Sequence, residues 1–240
     1  MDEDAYSMVK GRRGGLIYRL ELDNTSWIMK FSISAQLMRS SGWFAFCEKL
    51  QGYNIQVTRA FIKNYRDGVV EFKNLRVTVD EESIAEAIGV PVQGEKWFKQ
   101  QDFQGNYGEF LLPGFEKLDW ENGIHVSKIK PNWQIPLEMV QNCITCEGRY
   151  DRILKCHLRL LMHLNGSLKL NLPFYLLKSL QKMVTWVQTH PKHTAHSIYH
   201  QGLIKLLLIS HLSKEGRSWE SFLFELGFEE KVKEKGKKAA

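Results

Sequence analysis

From Trp43 onward the apolar positions of this chain recur mostly every three or four residues, and in one short stretch every second residue. The first rhythm marks helices with one buried face, the second a half-buried strand. Trp43 to Leu50 reads as a helix that Ser40 or Ser41 can cap and that Gly52 ends. Val57, Phe61 and Ile62, flanked by Ala60 and Tyr65, predict a second helix over about 54–66. Asp67-Gly68 then makes a turn. VVEFKNLRVTV alternates most plainly at Leu75, Val77 and Val79 against Arg76 and Thr78, which predicts a hairpin turning near Lys73-Asn74.

The helix that follows has the clearest ends. Asp80 can accept hydrogen bonds from the free first-turn amides, and Glu81 and Glu82 suit the positive end of the helix dipole. Ile84, Ala85, Ala87 and Ile88 supply its buried face, Gly89 a left-handed stop, and Pro91 forbids continuation. Residues 92–135 show the weakest regular pattern and are rich in Gly, Asn, Gln and aromatics. A stretch that long packs through its own side chains or serves function.

From Pro136 the helical rhythm returns. Leu137 to Cys146 predicts a short helix, and 149–164 a longer one with Tyr150, Ile153, Leu154, His157, Leu161 and Leu164 on one face. Asn171 caps a helix with Pro173 in its first turn, where a missing N–H costs nothing, running through Phe174, Leu177, Leu180, Val184 and Val187 to about Thr189. Thr194 or Ser197 is expected to start another helix, whose LIKLLLISHL is apolar nearly all round and therefore central. Ser218 caps a last short helix that ends at Gly227.

These elements predict a mainly α fold: a helical domain with a small β-hairpin near residues 69–79. The expected organisation is a flexible segment over 1–25, a helix–hairpin–helix portion with a long aromatic loop over 26–135, a helical portion packed on it over 136–228, and a disordered basic tail over 229–240. The two middle portions form one domain on this reading. At 240 residues, 43% hydrophobic and 25% charged, the chain has the composition of a globular protein. No apolar run is long enough to span a membrane and no secretory signal is visible, so no membrane partner is expected. Four cysteines are too sparse for a disulfide framework, which points to an intracellular setting, nuclear or cytoplasmic.

Charge changes the picture more than composition does. Residues 101–150 hold four Lys and Arg against seven Asp and Glu, whereas 151–200 hold seven against one Asp and carry six of the eight histidines. Within the second block Arg152, Lys155 and Arg159 recur at i, i+3 and i+7, and Lys178 and Lys182 at i, i+4. A charge run is ordinarily a solvated face, but the shortage of compensating acids over fifty residues suits phosphate or an acidic protein surface as partner. These five residues are the candidate contact surface.

Other constellations are weaker. Cys143-x2-Cys146 with Cys156, His157 and His163 suggests zinc, but the adjacent Cys156 and His157 face different ways, and buried free thiols explain the cysteines. His193, His196 and His200 would share a helix face, with His190 set apart by Pro191, yet no carboxylate or cysteine lies near enough to complete a metal set. No GxSxG, phosphate-loop, HExxH or GxGxxG motif occurs, so no catalysis and no cofactor are expected.

The run VTRAFIKNYRDGVVEFKNLRVTVDEESIAEAIGVPVQGEKWFK resembles an uncharacterised family of plant proteins linked to transposable elements, the transposon- and retrotransposon-associated proteins. The residues that carry the likeness are Phe61, Asn64, Tyr65, Val77 to Val79, Ile84, Ile88, Gly89, Val90 and Pro91, with NLPFYLLKSLQKM and HQGLIKLLL similar further on. It covers about 43–212 and is a spaced pattern of structural residues, implying an origin and no active site. Three functional readings are open, two of them noncatalytic. One is a noncatalytic module binding nucleic acid or an acidic protein through the basic helical half. The other is a self-associating capsid-like or scaffold module using the aromatic 92–135 segment. An enzyme with an unrecognised carboxylate site is a third.

Overall fold

The structure, a computed structural model, describes residues 40–50, 52–98, 106–115, 123–146, 151–166, 169–191 and 198–228. Expectations for 1–25 and 229–240 lie outside them. In chain order the elements are α1 (Trp43–Lys49), α2 (Ile55–Asn64), β1 (Tyr65–Arg66), β2 (Val69–Phe72), β3 (Leu75–Thr78), α3 (Glu81–Ile88), β4 (Ile124–His125), α4 (Gln134–Met139), β5 (Arg152–Ile153), α5 (Lys155–Leu164), α6 (Leu172–Thr189), α7 (Gln201–Lys214) and α8 (Trp219–Glu225). The fold is mainly α with a small antiparallel sheet, as the patterning predicts.

The hairpin forms where alternation places it. Val70 pairs with Val77 and Phe72 with Leu75, and all four side chains are buried. The sheet gains a third strand that the helical spacing of 54–66 concealed. Tyr65 and Arg66 leave the helix, pair with Val70 and Val69, and so end α2 at Asn64. Asn54 opens α2, its side-chain oxygen accepting from the amides of Gln56 and Val57 at 2.9 and 3.2 Å.

Helix α3 occupies the centre. Asp80 Oδ1 accepts from the Ser83 amide at 2.8 Å, while Ser83 Oγ accepts from the Asp80 amide at 3.0 Å, closing a reciprocal cap. Gly89 ends the helix at φ 75°, where a side chain would be strained. Ile84 and Ile88 are sealed from solvent, and α3 packs between α6 and α7. Helix α7, apolar nearly all round, also touches α2 and β3, which is why its residues are buried on several sides.

The C-terminal half departs from its expected boundaries in three places. The helix expected over Leu137 to Cys146 begins earlier, at Gln134, and widens into a π-helical turn over Val140–Thr145. The helix expected over 149–164 begins only at Lys155. Ile153 is drawn into an antiparallel pairing with Ile124, and Leu154 stays extended while its amide donates to His157 Nδ1 at 3.1 Å. Helix α7 starts at Gln201, not at Thr194 or Ser197, because His200 takes a left-handed conformation at φ 58° immediately before it.

Truncating Ile84 to Ala should cost roughly 2–5 kcal/mol, since the cavity would open in a fully buried part of the core. Asp80→Ala should cost about 1 kcal/mol through loss of the cap. Urea denaturation of the two variants measures both, and the ordering of the two costs is the expected result.

Candidate nucleic-acid interface

The five cations proposed from sequence do not form one face. Arg152 lies in β5, half-buried, with Nε 4.0 Å from Asp151 and its carbonyl accepting from Gln141 Nε2 at 2.8 Å. Lys155 is exposed at the first position of α5, where a cation meets the positive end of the helix. Arg159 points inward. Only 8% of its side chain is exposed, it donates to Glu95 Oε1 at 2.6 Å, and its guanidinium lies 4.5 Å from the Trp97 ring centre. The i, i+3, i+7 spacing of Arg152, Lys155 and Arg159 is therefore not a helical stripe.

Arg159 instead anchors the segment that follows α3. Gly94, at φ 101°, passes so close to the Lys169 carbonyl that a Cβ would fall 2.6 Å from it. The Glu95 amide donates to that carbonyl, and the Asn171 amide donates to the Glu95 carbonyl at 3.0 Å. Trp97 is buried against Arg159, His163 and Tyr175. Burial pushes the nearby Tyr107 phenol above its ordinary range, and the Arg159 charge offsets part of that rise. The aromatic segment expected to offer an apolar patch is thus largely inside. Trp97, Tyr107, Phe110 and Trp133 are buried, Phe98 and Phe115 half-buried, while Phe103 and Trp120 fall outside the described residues.

Lys178 and Lys182 are exposed on α6, as expected. The sequence of α6 contains no Asp or Glu, and neither does that of α2. The two helices meet at a seam. Gln188 Nε2 donates to the Ile62 and Tyr65 carbonyls at 2.7 and 3.1 Å, and Gln181 Nε2 donates to the Tyr65 hydroxyl at 3.4 Å. Beside it opens a cleft of about 470 Å³, lined by Arg59, Lys63 and Arg66 around an apolar floor that includes Ile62, Val187 and Ile198. These three cations are exposed and follow i, i+4, i+7 spacing. Arg66 also donates to the Lys63 and Tyr65 carbonyls at 3.0 and 2.6 Å, closing the end of α2.

Arg59, Lys63 and Arg66 were legible: residues 54–66 hold three Lys and Arg and no acid, a local excess hidden by averaging over longer windows.

The metal readings find no assembled set. Among the described residues no group of three or more His, Cys, Asp or Glu could hold a metal ion. His157 is buried with Nδ1 accepting a backbone amide, which leaves its proton on Nε2, facing Thr145 Oγ1 at 3.4 Å. His200 is buried, its Nε2 2.8 Å from Ser179 Oγ, and His193 and His196 fall outside the described residues. No helix among the described residues is long and apolar enough to cross a membrane.

No family model, curated protein or solved structure matches this chain.

Arg159→Ala should destabilise the fold by roughly 2–3 kcal/mol, for a charge-assisted hydrogen bond and a ring contact are lost while Glu95, half in water, partly rehydrates. Lys155→Ala should stay within about 0.5 kcal/mol. Thermal or urea unfolding of the pair distinguishes an internal anchor from a surface charge.

Proposed function

We propose that this chain is a noncatalytic binding module that holds nucleic acid against the basic surface of α6 and α2. The observation that supports it most is the absence of carboxylates from two adjoining helices that expose Lys178 and Lys182 on one and Arg59 and Lys63 on the other, with Arg66 just beyond. Exposed cations are normally interspersed with acids on the same face. Here neither helix contributes a compensating acid of its own, and a phosphate backbone would supply the opposite charge with release of counterions.

This reading keeps Lys178 and Lys182 from the original five, leaves out Arg152, Lys155 and the buried Arg159, and adds Arg59, Lys63 and Arg66. An origin in a plant transposable element is supported by the spaced pattern from Phe61 to Pro91 and would place the module beside nucleic acid.

With about five phosphate contacts, the logarithm of the binding constant should fall with the logarithm of salt concentration with a slope of about −3 to −5. Reversing Arg59, Lys63, Lys178 and Lys182 to Glu together should weaken binding by roughly 100-fold or more at low salt. Fluorescence anisotropy with a labelled oligonucleotide measures both. Absence of binding at low salt, or binding indifferent to the four reversals, contradicts the reading. Equal affinity for polyglutamate would indicate an acidic protein surface as the partner.

A further inference from the structure

Helix α6 carries more than charge on its exposed side. Phe174, Lys178, Lys182 and Trp186 occur at every fourth position, with His190 just past the helix end, so they follow one ridge that rises about 6 Å and turns by about 40° at each four-residue step. Lys178 Nζ sits 5.6 Å from the Phe174 ring centre. At the other end Trp186 and His190 stack, their ring centres 4.8 Å apart and their planes 12° from parallel. The imidazole is itself held, with Nδ1 3.1 Å from the Trp186 carbonyl and 2.9 Å from Thr189 Oγ1. Trp186 is 37% exposed, although its neighbours Met183, Val184 and Val187 are all buried.

An indole left in water costs free energy that a core position would recover, and here a stacked imidazole holds it in one orientation. Beside it lie two exposed lysines and no carboxylate of the same helix. Orientation of an aromatic face next to a cationic track is what an unpaired base linked to phosphates requires: the base stacks while the backbone lies along the charges. A duplex, whose bases are already stacked on one another, could use the lysines but not the indole face.

We propose that the α6 ridge is a single-strand binding track, with Trp186, oriented by His190, as the base-stacking platform and Lys178 and Lys182 as phosphate contacts. The proposal rests on the nucleic-acid reading above and narrows it to single strands.

The test compares a fluorescein-labelled single-stranded 12-mer with the corresponding duplex, using the full chain, its Trp186→Ala variant and its Trp186→Phe variant. The full chain should prefer the single strand. Trp186→Ala should lose roughly tenfold or more of single-strand affinity and leave duplex affinity and the salt slope nearly unchanged, with Trp186→Phe intermediate. The intrinsic fluorescence of the full chain should fall on adding the single strand, and much of that fall should vanish in Trp186→Phe, a change conservative enough to preserve folding. Equal binding of single strand and duplex, unaffected by Trp186→Ala, overturns the single-strand track and leaves the nucleic-acid reading standing. Binding of neither at low salt overturns both. Loss of self-association in Trp186→Ala with oligonucleotide binding intact would assign the ridge to a second copy of the chain and overturn the proposal.

Discussion

The side chain of Asn171 joins α6, which carries part of the candidate surface, to the central α3. Its oxygen accepts from the Phe174 amide at 2.9 Å and so opens α6, while its nitrogen donates to Glu81 Oε2 on α3 at 3.1 Å. Glu81 Oε1 takes a further bond from Lys96 at 2.8 Å. With Asn171 buried at the head of α6, this network ties the start of that helix to the central α3. Since a helix is rigid over five turns, fixing its first turn and burying one face determines which residues point outward. The outward direction of Lys178, Lys182 and Trp186 is therefore a consequence of packing far from them.

The second constraint is Arg159, which joins the segment after α3 to α5. A guanidinium that is almost fully enclosed needs a carboxylate and good geometry, and Glu95 supplies both while keeping nearly half of its own side chain in water. Trp97 covers the other side of the guanidinium. Together with the backbone bonds of Glu95 to Lys169 and Asn171, this pins the path from α3 toward the aromatic segment and closes the core beneath α6.

Local signals made much of this legible. The hairpin, the Asp80 cap, the Gly89 stop and the Asn171–Pro173 start all depend on residues within a few positions of one another, and they form where the sequence puts them. What escaped was decided at long range. Ile153 is a strand residue because Ile124 lies beside it, and Arg159 is internal because Glu95, 64 residues away, is its partner. Counting acids within fifty residues made Arg159 look uncompensated. A window of that length also averages out Arg59, Lys63 and Arg66, whose excess is confined to residues 59–66. Trp186 lies off the apolar series that defines α6, and its exposure beside the buried Val187 is visible only in the fold.

If α6 and the adjoining end of α2 hold nucleic acid, contact should be confined to a small part of the chain. Ultraviolet crosslinking to a single-stranded oligonucleotide, followed by identification of the crosslinked peptides, tests that location directly. The account predicts crosslinks within Lys178 to His190 and on the segment from Arg59 to Arg66. Crosslinks confined to other segments, such as the exposed start of α5 at Lys155, would contradict it.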